Sequence, residues 1–158
     1  MDHETPKTFK TTRELLQLAE NLHTRLKGHW EKAQRVVAEP EADMFIAYIR
    51  RKEKQFISMV SRYIRQAPDD ILETYFQFAP RELQDIDALS TWRPAHGEKL
   101  ETILAEALKI DSQMQSFYRR AAELAASESV RDMFTNLADA VEDKKKSQVQ
   151  NAEWVTDI

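Results

Sequence analysis

Two charged side chains fall where helical arithmetic asks for apolar ones. At 100° per residue, Asp111 lies inside the apolar stripe of its segment, between Ala107 and Met114. Lys144 follows Leu137 and Val141 on the inward face of the next segment. Counting back and forward from the turn near residue 127 puts 111 and 144 at one level of a helical hairpin. An unpaired buried charge is costly, so the two are expected to neutralise each other as a salt bridge. A buried lysine with a lowered pKa could instead be a nucleophile. Asp111 works against that by holding the amine protonated, and no cofactor-binding loop accompanies it. Lys144, Lys145 and Lys146 also form a short charge run, which is the usual mark of a solvated helix end.

The remaining chemistry-bearing residues give weaker patterns. Glu20 and His23 form an E-x-x-H string, but Glu20 points away from the core by the same count, so the string is nonspecific. His29, between Gly28 and Trp30, is expected as a hydrogen-bonded histidine at the core margin, with Gly28 letting a neighbouring helix approach closely. The sequence has no cysteine, which excludes disulfides, thiolate metal sites and cysteine redox chemistry.

The elements that must position these residues are helical. The chain of 158 residues suits one domain over residues 1–158, and it has two glycines and five prolines, too few for many hairpin turns. Apolar residues recur at helical spacing from Thr12 to Ala38, through Leu15, Leu22, Leu26, Trp30, Ala33 and Val37. Pro40 interrupts them, and a second helix is expected from about Glu41 to Arg65, with Phe45, Ile49, Phe56, Met59 and Tyr63 on one stripe. A third runs from near Gly97 to about Ala126, and Ser127 or Ser129 caps a fourth carrying Val130, Phe134, Leu137 and Val141. Residues 1–10 are polar and expected to be frayed. The crossover, 66–96, holds two short candidate helices, Pro68–Phe78 and Pro80–Leu89, before the turn-like STWRPAHG. Two tight turns and one long connection predict a crossover topology in which the first and third helices run parallel. The aromatic residues Tyr75, Phe76, Phe78 and Trp92 either seal the side of the helices or present a surface to a second subunit.

The two halves align at a constant offset of 88. Leu15 meets Ile103, Ala19 meets Ala107, Leu22 meets Ile110 and Leu26 meets Met114. Trp30 then meets Tyr118, Ala33 meets Ala121, Ile46 meets Phe134 and Ile49 meets Leu137. The same offset superposes the two tight turns, around Pro40 and Ser127.

The segment ALKIDSQMQSFYRRAAELA, followed by VRDMFTNLADAVEDK, resembles the second hairpin of rubrerythrin-like proteins of the ferritin-like superfamily. Their pattern is E-x-x-A-x-x-F-Y on one helix and F-x-x-L-A-x-x-E-x-x-H on the next, and the likeness extends over both hairpins, from about Leu15 to Lys145. It implies an all-α, ferritin-like four-helix bundle whose carboxylates and histidines hold two irons, since hard oxygens with imidazoles suit iron and i,i+3 spacing puts Glu and His on one face. Aligned on Phe117 and Tyr118, the third-helix ligand position is Asp111. Aligned on Phe134, Leu137 and Ala138, the fourth-helix positions are Val141 and Lys144. The 88-residue offset gives His23, Glu53 and Phe56 as the first-hairpin equivalents. Where the family has Glu, Glu and His in each hairpin, Glu53 alone is kept. His23 and Asp111 are donors of another type, and Phe56, Val141 and Lys144 are positions where the ligand is lost. His23, Glu53 and Asp111 remain as candidates for a mononuclear iron or zinc site, although His23 and Glu53 lie near the edges of their stripes, where they could be solvated.

Composition bounds the rest. Apolar residues make up 42% and charged residues 32%, with a formal net charge of -4 and the signs interleaved, so no basic face supports nucleic-acid binding. No apolar run approaches a membrane span, and the first residues lack a signal-peptide core, so a cytoplasmic protein is expected. The favoured reading is a non-enzymatic, metal-free structural or interaction module, a homodimer with no catalytic or cofactor-binding residues. Its rivals are a metal oxidoreductase or iron- or peroxide-handling protein with a divergent site, and a small-molecule binder using a cavity left by the metals.

Overall fold

Helix starts follow local capping chemistry. Thr11 and Glu14 form a capping box: the Glu14 N–H donates to Thr11 Oγ1 at 3.1 Å and the Thr11 N–H donates to Glu14 Oε1 at 3.0 Å. From there α1 runs Thr12–Val36. Pro40, whose fixed φ suits a first helical turn, opens α2, Pro40–Gln66. Ser127 Oγ accepts from the Val130 N–H at 3.3 Å and starts α5, Glu128–Thr156. The computed structural model describes residues 8–78 and 92–157. Within them, β1 (Thr8–Thr11) precedes α1, then α3 (Asp69–Leu72) and β2 (Tyr75–Phe78) follow α2, and α4 (Leu100–Glu123) precedes α5. The protein is therefore mostly helical, and no helix among the described residues is long and apolar enough to cross a membrane.

The core is the sum of four helical stripes. Leu15, Leu16, Leu22, Leu26 and Trp30 of α1 meet Phe45, Ile46 and Ile49 of α2, all almost fully buried. Ile103, Met114 and Tyr118 of α4 do the same with Phe134, Leu137 and Val141 of α5. Burying each large apolar side chain is worth about 1.5–3 kcal/mol. Both members of all eight pairs related by the 88-residue offset are buried. The offset also relates the helix starts, Thr12 to Leu100 and Pro40 to Glu128.

Side-chain bonds give the helix directions. Tyr48 bonds Ser147, while Glu53, further along α2, bonds Lys144, earlier in α5, so α2 and α5 are antiparallel. Asp111 meets Lys144 and Gln115 meets Glu142, which makes α4 and α5 antiparallel as well. At the other end, the Ala38 N–H donates to the His96 carbonyl at 2.9 Å, so α4 starts where α1 finishes. Accordingly α1 and α4 run antiparallel, and α2 and α4 run parallel. The sequence-based expectation of parallel first and third helices is corrected: α4 begins at the end of the helices where α2 began.

The start of the crossover also differs from expectation. Helix forms over Asp69–Leu72 alone, and Tyr75–Phe78 is a strand, paired antiparallel with Thr8–Thr11 in the register Thr8 to Phe78 and Thr11 to Tyr75. Aromatic and β-branched residues favour the extended state, and pairing needs a partner remote in sequence. Residues 8–10 are thus ordered rather than frayed. The strands continue into an anchor on α1, where the Thr12 N–H donates to the Thr74 carbonyl at 2.8 Å. Phe76 is buried edge-on against Phe134, ring centroids 5.5 Å apart, while Tyr75 faces solvent and Trp92 packs half-buried beside Trp30. The expected helix Pro80–Leu89 lies outside the described residues.

Candidate functional site: a buried polar belt across four helices

One layer of the core is polar. Lys144 sits in the middle of α5, 4% exposed, and its ammonium donates to Asp111 Oδ1 at 2.8 Å and to Glu53 Oε1. Glu53 Oε2 lies 2.7 Å from His23 Nδ1, and His23 Nε2 lies 2.7 Å from the Tyr118 hydroxyl. The chain of bonds passes from α4 through α1, α2 and α5 back to α4, so each long helix contributes. Phe56 closes the layer, stacked on His23 at 4.8 Å with the Lys144 ammonium 5.7 Å from its ring centre. All six positions matched by the resemblance are buried: His23, Glu53, Phe56, Asp111, Val141 and Lys144.

Charge is distributed by who shares the ammonium. Burial alone would push the Glu53 carboxyl up, but the Lys144 ammonium and His23 outweigh it and hold its pKa down to about 2. Burial keeps Asp111 above its usual value: Lys144 draws it down, but the neighbouring Glu53 charge opposes it. Burial disfavours the Lys144 ammonium, yet Asp111 and Glu53 together raise its pKa, so it is a fixed cation and not an amine nucleophile. Burial, then the Glu53 charge, lifts the Tyr118 phenol well above its ordinary range. Because Glu53 is ionised, it accepts from the His23 Nδ1–H, and the other ring nitrogen, Nε2, is bonded to the Tyr118 hydroxyl.

Several expectations change. His23 and Glu53 are core residues, 1% exposed each, rather than solvated edges. The apolar stripe of α1 includes Leu16 and Ala19 and is wide enough to carry His23 inward beside Leu22. The Lys144–Lys146 run is not a solvated helix end, because α5 continues to Thr156 and Lys144 alone of the three points inward. Asp111 and Lys144 do meet, but Glu53 is a second partner, and Tyr118 joins through His23. Tyr118 follows Asp111 by seven residues on the same stripe, a signal that was present in the sequence.

The donor set does not fit the two irons implied by the resemblance. Phe56 and Val141 carry no donor atom and Lys144 is a cation. Both nitrogens of His23 are engaged, and the ammonium stands between Glu53 and Asp111. Among the described residues no group of three His, Asp or Glu side chains is placed to hold a metal ion.

His29 lies apart from the belt. Buried against Trp30, ring centroids 4.9 Å apart, it accepts from Arg93 through Nδ1 at 2.8 Å. Burial, then Arg93 and Lys32, lower its pKa to about 4. This is the expected hydrogen-bonded histidine. Gly28 does not explain its packing, since a Cβ there would meet nothing within 4 Å. No family model, no curated protein and no solved structure matches the chain.

Proposed function

We propose that the protein is a ferritin-like, rubrerythrin-like four-helix bundle in which Lys144 has taken the place of the metal, and that it acts without a di-iron centre as a structural or interaction module. The observation that carries this reading is one ammonium bonded by Glu53 and Asp111 at the layer where the resemblance places the ligands. A metal binds carboxylates from different helices and fixes their register. A tethered cation does the same without exchange or redox chemistry. Replacing a buried ion pair by apolar residues is often neutral or stabilising, so the belt's use is to select one helix arrangement rather than to maximise stability. The direction of the helices and the 88-residue offset between helix starts support the bundle assignment.

The module is proposed to be cytoplasmic and homodimeric, with Met44, Val149 and Trp154 supplying exposed apolar surface. Analytical ultracentrifugation tests the dimer.

Elemental analysis of untagged protein tests the central claim. Metal well below one equivalent per chain is expected. About two irons per chain would refute it and favour the rival reading, a metal-dependent oxidoreductase or an iron- or peroxide-handling protein. A reverse experiment installs the family ligands with His23→Glu, Phe56→His, Asp111→Glu, Val141→Glu and Lys144→His. The variant is expected to bind ferrous iron, and a folded variant that binds none would show that these six positions are not the old ligand set.

A further inference from the structure

The side of the protein formed by α2 and α5 carries opposite charges on its two helices. Tyr48 of α2 bonds Ser147 of α5 across the seam, and the Arg51 guanidinium and Lys52 ammonium lie 5.9 and 5.4 Å from the Tyr48 ring centre. Arg62 extends this basic strip about three turns beyond Arg51. Between Arg50 and Arg65 the single acid of α2 is Glu53, which is turned inward to Lys144. An open cleft of about 460 Å³ lies along the strip, lined by residues that include Arg51, Gln55, Met59 and Arg62. On α5, about 100° per residue puts Asp132, Asp139 and Asp143 opposite the buried Leu137, Val141 and Lys144, and all three acids are exposed. Arg131 and Lys145 lie on the flank toward α4, where Lys145 bonds Gln115, so Lys146 is the one cation beside the three acids. Among the described residues none of Arg51, Lys52, Arg62, Asp132, Asp139 and Asp143 takes part in an ion pair. The two strips also share their levels. With Glu53 beside Lys144 and Tyr48 beside Ser147 in an antiparallel pair, the level of Arg51 falls next to Asp143, that of Arg62 next to Asp132, and that of Met44 next to Trp154.

We propose that this face joins two copies of the chain about a two-fold axis parallel to the helices, with the basic strip of α2 in each lying on the acidic strip of α5 in the other. A two-fold interface is made of the same surface on both copies, and with the helices aligned two settings bring this face against itself. An axis across the helices would put α2 on α2 and α5 on α5, with like charges opposed, which costs affinity. An axis along the helices sets α2 of one copy antiparallel to α5 of the other and preserves every level. Arg51 then meets Asp143 of the partner subunit, and Arg62 meets Asp132 of the partner subunit, each contact occurring twice. Met44, 41% exposed, comes opposite Trp154 of the partner subunit, a residue 59% exposed in the single chain, and supplies an apolar contact at one end. The face is about 40 Å long and about 20 Å wide, which matches the roughly 800 Å² per partner of a stable interface. This inference rests on the homodimer reading and gives it a surface and a symmetry.

The test is a charge exchange on the full chain, read by sedimentation equilibrium. One variant carries Arg51→Glu and Arg62→Glu, and the other carries Asp132→Lys and Asp143→Lys. All four sites are exposed, so each variant is expected to keep the parent's unfolding midpoint within a few degrees. Each alone opposes like charges at both contacts and is expected to dissociate about a hundredfold more readily than the parent. Mixed in equal amounts, they are expected to form a one-to-one heterodimer, because every contact again pairs opposite signs. Variants that each remain dimers as tight as the parent would overturn this surface and leave the homodimer reading standing. Two monomeric variants that do not combine would overturn the pairing of α2 with α5. A parent protein that stays monomeric at every concentration would overturn both this inference and the homodimer, leaving the face to a different protein and the metal-free bundle untouched.

Discussion

Lys144 and Glu53 stand 91 residues apart in the chain, yet the ammonium of one is bonded to the carboxylate of the other inside the core. Asp111 takes a second of its N–H groups. Three helices are thereby tied at one point, and His23 brings in the fourth. The arrangement satisfies the rule that buried charge must be paired, and it uses one cation for two acids.

Removing the cation should expose that dependence. Lys144→Met leaves Glu53 and Asp111 buried without it, and breaking a buried pair from one side costs about 3–5 kcal/mol. Chemical denaturation of the variant should show a loss of that size. Adding Glu53→Gln to Lys144→Met should restore part of it, since the two residues are coupled. A Lys144→Met protein as stable as the parent would place the ammonium in solvent.

Tyr118→Phe removes the hydroxyl bonded to His23 Nε2 and leaves a buried ring nitrogen unmatched. A loss of about 1–3 kcal/mol is expected from denaturant unfolding. In the parent protein, the ultraviolet signal of this phenol should not appear at pH 10 to 11 while the fold persists. Its appearance there in the folded protein would show that the residue is not enclosed.

Two buried groups, Glu53 and His29, contribute to the acid limb of stability with the same sign. Glu53 is lowered from 4.5 to about 2 in the folded state, so its contribution is present above pH 4.5 and is lost as the pH falls toward 2. His29 is lowered from 6.5 to about 4, so the unfolded chain binds its proton first and stability falls as the pH drops from 6.5 toward 4. Asp111, held by burial above the usual carboxylate range, offsets part of the Glu53 loss in acid. Denaturation midpoints measured from pH 7 to pH 4 should fall less steeply for His29→Gln than for the parent. Identical slopes would contradict a buried neutral His29.

The short sheet makes a separate prediction. Phe76→Ala removes a ring packed on Phe134 and should cost about 3–5 kcal/mol, whereas Tyr75→Ala, at a side chain 66% exposed, should cost well under half as much. Equal effects of the two substitutions would mean that Phe76 does not anchor the strand to α5.

The four long helices were legible in the sequence because their signals are local. Apolar spacing, Pro40 and the Ser127 cap act over one or two turns, and each helix begins within three residues of its expected start. The meeting of Asp111 with Lys144 was legible for the same reason, since a tight turn makes level in a hairpin a matter of counting. Tertiary structure decided the rest. Tyr75–Phe78 reads as helix until Thr8–Thr11 comes alongside, and no window of sequence contains both. His23 and Glu53 lie at stripe edges, where burial depends on the angle at which the second hairpin packs against the first. The union of Glu53 with Lys144 across that contact turned an acid and a base from different halves of the chain into one buried belt. Local periodicity sets which face of a helix is apolar, but only the packing of the hairpins sets which polar groups share the space between them.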